Sequence, residues 1–405
     1  MLHAALLVIR NDGATPVAER VFDNILRAHG QDAVETVWRL DFIAASRGRS
    51  GEGAYLRNVG ALTLKLALVG EVEALAERAM AERTRIDEVY ARLRRLEALP
   101  SPCPRSALVA GAASAAGFLA HMLARDEGAV VVAFVAAAPG QGARLIRQRR
   151  GLSAIALVFV SNTRSALVAG ARIRLGLASD TFATLVASVA YLVPGLLLIN
   201  GFMDLLSQRY LAIGLERMAK AFVLFLVIAI GIALADALVL YGRRERRPSI
   251  GRGPCVEAVW TALFSVALAM MYTAPLRALL PTLAAGLAGS FVRDLSVASH
   301  VGPNWAILLG ASAAVRVSVT TARGNRLSPV VPIGAVRPLG GAGAMFDPMS
   351  PVMKASVAEG DALAVASLAM TEHFAKMFSV AVATASGVAV GISIPRLFRW
   401  RGTVG

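Results

Sequence analysis

Long hydrophobic runs without charged residues dominate the pattern along the chain. They occupy residues 106–124, 128–143, 181–203, 258–274 and 377–394. A helix needs about 20 mostly apolar residues to cross a bilayer, and about 17 suffice at the lower limit. Further runs are shorter or carry a single charge, and they occupy residues 151–171, 221–241, 278–292, 303–322 and 327–346. The pattern predicts a mainly α, polytopic helical membrane protein.

The run at 181–203 is broken near its middle by Pro194–Gly195, and Tyr191, Asn200 and Asp204 flank the break. A helix in lipid satisfies its backbone hydrogen bonds internally, so proline and glycine at this depth are tolerated only where protein or a wet cavity surrounds them. The proline frees carbonyl groups one turn earlier, and these can coordinate a ligand. Broken helices with polar neighbours are typical of substrate sites in transporters. We therefore expect a substrate site at this break.

Residues 1–104 have a different pattern, which predicts a small cytoplasmic α+β domain. Hydrophobic residues recur at helical spacing within 17–30, whereas 34–46 and 61–70 alternate as strands do. One charged helix is predicted from Glu71 to about Leu99, and Pro100 closes it.

Residues 105–241 and 254–405 are predicted to form two pseudo-repeated halves of five segments each, joined by a basic linker at 242–253. Each half contains three apolar runs, a fourth run with a proline/glycine break, and a fifth run. The second break falls at 332–343. Matching broken segments in two halves indicate the binding site of a carrier.

The net charge of +15 does not indicate nucleic acid, because the arginines lie between apolar runs in a chain that is 56% hydrophobic. The sequence also lacks the GxSxG and HExxH motifs, a phosphate-binding loop, and Cys/His pairs at metal-ligand spacing. We therefore expect no enzyme activity, no cofactor and no metal. Transport would be driven by an ion gradient and not by ATP.

Three arginine clusters bear on the topology. They lie at 144–150, 243–247 and 396–401. Placing all three on the cytoplasmic side, with the N-terminal domain, requires an even number of crossings in each half. This favours a re-entrant fourth segment in each half over a fully spanning one.

The stretch 191–218 contains a Leu-Val-Pro-Gly turn, a downstream Asp204 and a Gly-x-x-Arg element that ends at Arg217. These motifs resemble the signature of the threonine/serine exporter family. Other stretches are similar to the cytoplasmic region and second membrane domain of that family, namely 14–46, 257–295 and 391–400. The chain thus resembles a fused form, whereas the second domain is a separate chain in relatives associated with succinate export.

The resemblance implies a secondary transporter in the bacterial inner membrane. It implies export of threonine, serine or a similar small polar metabolite, with protons and the lipid bilayer as the other partners. The mechanism would be proton-coupled alternating access, and a homo-oligomer is left open.

The predicted roles follow from charge and position. Asp204 would bind a substrate ammonium group or the coupling proton. Tyr191 and Asn200 would offer neutral hydrogen bonds, although helix packing is the better explanation for each of them taken alone. Arg337 would bind a carboxylate if it faces a cavity. The family usually has a Pro-x-x-Pro-Gly turn where this chain has Arg337–Gly343, so the second proline is missing.

The predicted substrate- and ion-binding residues are Tyr191, Pro194, Gly195, Asn200, Asp204, Arg217, Arg337, Pro338, Gly340 and Gly341, with Asn162, Arg164 and Asp236 as secondary candidates. Two alternatives remain. A dicarboxylate exporter would suit the arginines at 164 and 337 better than a zwitterion does. A non-transporting membrane scaffold or enzyme is the other.

Overall fold

The computed structural model of this protein describes residues 1–31, 34–47, 54–60, 62–100, 103–124, 126–147, 153–239, 254–325 and 358–400. The polypeptide before residue 100 forms helices α1 (Leu2–Arg10), α2 (Thr15–Ala28), α3 (Leu66–Glu82) and α4 (Ile86–Ala98). It also forms strands β1 (Val34–Trp38), β2 (Phe42–Arg47) and β3 (Tyr55–Asn58), which pair antiparallel in the order β1-β2-β3.

These helices and strands bury one hydrophobic core. Helix α2 follows the predicted spacing, since Val21 and Ile25 lie on its buried face. Ile43 of β2 is fully buried in the same core. The predicted strand at 34–46 is a hairpin, with Trp38 paired to Ile43.

Two predictions for this region are wrong. The stretch 61–70 is not a strand, because α3 already begins at Leu66 and buries Leu66, Val69 and Val72 at a helical period. The charged helix predicted from Glu71 to Leu99 is two helices. Arg83 adopts a left-handed conformation (φ 49°) and ends α3, and the amide of Thr84 returns to the carbonyl of Ala79.

The remaining helices are long and mostly apolar. They are α5 (Arg105–Ala124), α6 (Glu127–Arg147), α7 (Ala154–Arg174), α8 (Thr181–Val189), α9 (Gly195–Leu206), α10 (Leu211–Val239), α11 (Pro254–Met271), α12 (Leu276–Ala298), α13 (Pro303–Asn325) and α14 (Asp361–Trp400). A 3₁₀ turn, Ala190–Leu192, extends α8. By length and composition, α5, α6, α7, α10 and α14 can each cross a membrane, and α8 with α9 makes a sixth span if the pair is counted as one.

Helices α7 and α10 run parallel, and this fixes the direction of the broken segment between them. Asn162 of α7 contacts Ile228 of α10, and further along both helices Arg174 donates to the carbonyl of Val239. The chain must therefore return between them, from the end of the bundle near Arg174, here called the far end, to the end that touches α1–α4, here called the near end.

Hydrogen bonds at both ends of the broken segment confirm that return. At the far end Ser179, just before α8, donates to Asp126 in the α5–α6 turn. At the near end Asp204 of α9 accepts from Thr15 of α2. The segment thus runs through the whole bundle, and the re-entrant prediction is wrong for this half.

Helix α11 then brings the chain back from the far end. Its Trp260 stacks on His121 near the end of α5, with ring centroids 3.9 Å apart. At the near end the backbone carbonyl of Tyr272 accepts from the amide of Leu66. The first half therefore crosses the bundle an odd number of times, and the prediction of an even number fails there. The physical reason is length, because α8, its 3₁₀ turn and α9 are together long and apolar enough to make one span.

Candidate functional site

The helix breaks where proline and glycine predict it. Asp180 caps α8 by accepting from the amide of Ala183 at 2.9 Å. After the 3₁₀ turn, Pro194 caps α9, which begins at Gly195. The limbs Thr181–Leu192 and Gly195–Leu206 are bent by 67°. Every residue from Ala183 to Phe202 is buried, so protein surrounds the break.

On the α8 side of the break, Tyr191 packs against α6 and α7. Its hydroxyl lies 3.1 Å from Oγ of Ser165. Gly140 of α6 makes room for this pair, because a Cβ there would lie 2.2 Å from the Tyr191 hydroxyl and 2.0 Å from Ser165 Oγ. The hydroxyl groups of Tyr191 and Ser165 thus pack directly against the backbone of Gly140 beside the break.

Two further polar residues of α6, Gln141 and Arg144, lie within about one turn of Gly140. Arg144, one turn after Gly140, acts electrostatically on the Tyr191 hydroxyl, as does the exposed Arg164 of α7. Gln141 is 4% exposed, and within the described residues its Oε1 accepts no hydrogen bond. We call Gly140, Gln141, Arg144, Ser165 and Tyr191 the Tyr191 cluster.

On the α9 side of the break, the polar residues face the loop between α1 and α2. Asn200 donates through Nδ2 to the carbonyl of Asp12 at 2.7 Å. Thr15 donates through Oγ1 to Oδ2 of Asp204 at 2.8 Å. Asn200, Asp204 and Thr15 are all fully buried. These hydrogen bonds hold the N-terminal helices against α9, which we call the lower limb of the broken helix.

Arg217 of α10 completes this contact, and it is also fully buried. It donates through Nη2 to the carbonyl of Gly13 at 2.7 Å. Its Nε lies 3.5 Å from Oδ2 of Asp204, and its Nη1 lies 3.9 Å from Oδ1 of Asp12. We call Asp12, Thr15, Asn200, Asp204 and Arg217 the Asp204 cluster.

Asp12 is strained and desolvated in this cluster. Its backbone lies in the left-handed region with φ 55°, which an aspartate tolerates better than most residues. Burial raises the pKa of Asp12 to about 6, and the neighbouring Arg217 opposes that rise. Asp12 is 2% exposed.

Glycines bring α9 and α10 close enough to form the Asp204 cluster. A Cβ at Gly201 would lie 3.2 Å from the carbonyl of Gly214 and from Cβ of Arg217. A Cβ at Gly214 would lie 3.1 Å from the carbonyl of Gly201. The two backbones therefore touch, and the crossing sets Arg217 beside Asp204.

The structure divides the predicted site residues between two places. Tyr191 belongs to one cluster, whereas Asn200, Asp204 and Arg217 belong to the other, with Pro194–Gly195 between them.

The secondary candidates Asn162 and Asp236 belong to neither cluster. Asn162 donates to the carbonyl of Ile228 at 2.7 Å, which is the packing role. Asp236 is half-buried near the end of α10. The predicted second break, with Arg337, Pro338, Gly340 and Gly341, lies outside the described residues.

Sequence reasoning missed Asp12, Thr15, Gln141, Arg144 and Ser165. Asp12 and Thr15 lie nearly 190 residues from their partners, and no local pattern links them. The sequence places Arg144 in an arginine cluster between apolar runs, but α6 continues through it to Arg147. One signal was available, because a second Pro-Gly pair, Pro139–Gly140, interrupts the run at 128–143.

Comparison with known proteins gives one family. The family model described as "Putative threonine/serine exporter" matches residues 1–239, which end with α10. No curated protein and no solved structure matches the chain. Both clusters around the broken helix fall inside the matched residues.

Proposed function

Because this chain belongs to the threonine/serine exporter family, we propose that it exports threonine, serine or a similar small polar metabolite by proton-coupled alternating access. The observation that carries this proposal is the buried 67° break at Pro194–Gly195, with polar side chains on both sides of it. A discontinuous helix of this kind suits a substrate site in a secondary transporter.

The Tyr191 cluster is the proposed substrate site. Arg144 supplies a guanidinium group for the substrate carboxylate, and charge-assisted hydrogen bonds of this type are strong at low dielectric. Gln141 has an acceptor oxygen for the substrate ammonium or hydroxyl group. The Tyr191 hydroxyl, next to Ser165, can exchange its present partner for the substrate.

The break itself is the proposed hinge of alternating access. The α8 limb is held by α5, α6 and α7, whereas the α9 limb is held by the α1–α2 loop, α10 and α14. A change of angle at Pro194–Gly195 therefore moves one set of contacts relative to the other.

The wider organisation belongs to the same proposal. Residues 1–104 form a cytoplasmic domain, 105–241 and 254–405 form two membrane domains with matching plans, and 242–253 links them. The membrane is the bacterial inner membrane. The odd number of crossings before α11 supports two matching membrane domains. After an odd number of crossings, the second domain begins on the opposite side of the membrane from the first, so the two would have inverted topology, as inverted repeats do.

Radiolabelled threonine uptake into inverted membrane vesicles tests the proposal. We expect accumulation when the vesicle lumen is acidified, and its loss when a protonophore collapses the gradient. Arg144→Gln should raise the KM for threonine about 10- to 100-fold and Tyr191→Phe about 5- to 10-fold, the cost of one charged and one neutral hydrogen bond. Arg172→Gln, on the neighbouring helix, is the control. Vesicles that take up no threonine, serine or succinate would refute the transporter.

A dicarboxylate exporter is the second candidate, because two cations, Arg144 and Arg164, act on Tyr191. A dianion with two carboxylates would engage both. Uptake of labelled succinate in the same vesicles separates the candidates. Succinate transport that Arg164→Gln abolishes, together with absent threonine transport, would favour the dicarboxylate.

A further inference from the structure

We propose that Asp12 and Asp204 share a single proton beside Arg217, and that this proton fastens the α1–α2 loop to the broken helix. The inference rests on the proposed function, which it deepens by assigning the coupling proton a site. That site joins the N-terminal helices to the hinge, and Asp12 provides half of it.

The charges of the Asp204 cluster do not balance without the proton. Two carboxylates, Asp12 and Asp204, meet one guanidinium, Arg217, and the three side chains are 2%, 0% and 0% exposed. With both acids ionised the cluster carries a net charge of −1. An uncompensated buried charge is costly, and the usual relief is uptake of a proton.

Other charged groups near the cluster offset this excess only in part. From α10, the half-buried Lys220 also lowers the pKa of Asp12, but its effect is smaller than that of Arg217 because solvent reaches it. From the turn before α10, the neutral Tyr210 interacts with Asp204 but hydrogen-bonds to Glu19 of α2. The α1–α2 loop contributes only Asp12 itself, and α9 contributes only Asp204.

The hydrogen bonds of the cluster leave acceptors for this proton. Within the described residues, three buried oxygens receive no hydrogen bond: Oδ1 of Asp12, Oδ1 of Asn200 and Oδ1 of Asp204. Arg217 does not satisfy them, because its Nε and Nη1 groups also make no hydrogen bond in the part of the chain that the structure describes, and lie 3.5 Å and 3.9 Å from the carboxylates. Protonation of Asp12 forms one O–H bond and breaks one O–H bond of a hydronium ion in the solvent, and the new O–H group is a donor that a neighbouring oxygen can accept.

The pKa of Asp12, about 6 because of burial, supports protonation in the working range of a proton-coupled carrier. This value is raised above the 3.8 of an ordinary aspartate. A raised pKa means that the folded state holds the proton more tightly. Its stabilisation is complete below about 4 and is lost as the pH rises through about 6.

Release of the proton has a mechanical consequence. The two carboxylates then repel each other across the contact between the loop and α9, and the neutral donor that held the oxygens is gone. The contact between the α1–α2 loop and α9 weakens, so α9 can move once the proton is released. Proton movement and helix movement are thereby coupled.

Hydrogen–deuterium exchange of the full-length purified protein tests the site without any transport measurement. Corrected for intrinsic rates, exchange of the amides of residues 11–15 should speed up between pH 5 and pH 8 by up to about 100-fold, the ratio that two pKa units allow. Asp12→Asn should abolish this dependence and protect the loop at pH 8. Asp41→Asn, an exposed acid of the same region, is the control and should behave as wild type.

Asp204→Asn provides an independent arm if Asp12→Asn fails to fold, because removing either acid removes the shared proton. Persistence of the wild-type pH dependence in both variants would overturn the proposal. So would protection that depends on sodium at constant pH, since the cluster would then bind a metal cation. Vesicles that show no export while the exchange result holds would refute the proposed function and leave the proton site standing.

Discussion

Gly140 is the single residue on which the Tyr191 cluster depends most. It lies in the interior of α6, where glycine costs about 1 kcal/mol relative to alanine, so its presence needs a reason. The reason is space, because a Cβ would overlap the Tyr191 hydroxyl and Ser165 Oγ.

We predict that Gly140→Ala lowers both stability and transport, by about 1–3 kcal/mol of overpacking and by displacement of Tyr191. Gly142→Ala is the matched control, because a Cβ there meets nothing within 4 Å. It should be neutral or slightly stabilising. Thermal unfolding and threonine uptake of both variants decide the matter, and equal behaviour of the two would contradict the assignment.

Asn162 tests the difference between packing and binding. Its amide bonds the carbonyl of Ile228, and Gly231 gives it room, with a hypothetical Cβ only 2.0 Å from Nδ2. We predict that Asn162→Ala destabilises the protein by about 1 kcal/mol and leaves the KM for substrate unchanged. A raised KM at unchanged melting temperature would instead place Asn162 in the substrate site.

Among the elements, the crossing of α9 and α10 controls the Asp204 cluster. Gly201 and Gly214 let the two backbones touch, and that contact sets Arg217 against Asp204. Any side chain at the crossing separates the helices and lengthens the ion pair.

We predict that Gly201→Val weakens the hold on the α1–α2 loop. Proteolysis at the N-terminal helices should become faster, and the pH dependence of loop exchange should shrink. Leu215→Phe adds comparable bulk on the exposed side of α10 and serves as the control. Unchanged protease resistance in Gly201→Val would show that the crossing does not position the cluster.

The elements that could be predicted from the sequence are those with a local cause. The break at Pro194–Gly195 was predicted because proline and glycine interrupt a helix wherever they stand in it. The segment at 61–70 was not, because its alternation mimics a strand while packing against α1 and α2 selects a helix.

The candidate site divides in the same way. Tyr191, Asn200 and Asp204 could be identified because polar groups in a long apolar run are conspicuous. Asp12, which completes the Asp204 cluster, could not be, because an Asp-Gly pair between two helices is indistinguishable from an ordinary turn. Its role comes only from tertiary contact with α9 and α10.

For the whole molecule, the parallel course of α7 and α10 fixes which ends share a side of the membrane. The N-terminal helices lie at the near end. The ends of α7 and α10 and the α5–α6 turn lie together at the far end.

We predict that cysteines introduced at Leu99 and Leu175 react from opposite sides of the membrane. Both leucines are exposed, at 57% and 76%, and the native Cys103 and Cys255 would first be replaced by serine. A membrane-impermeant maleimide applied to oriented vesicles should label only one of the two, whereas a permeant maleimide should label both. Labelling of both from the same side would show that the near end and the far end do not lie on opposite sides of the membrane.

The 67° angle also sets the length of the segment that contains it. Each limb has 12 residues and is about 18 Å long at 1.5 Å per residue. At this angle the tips of the two limbs are about 30 Å apart, close to the thickness of the hydrocarbon layer. A straight segment would measure about 36 Å, so unbending it would drive its lower tip outward by about one helical turn and push the N-terminal helices ahead of it.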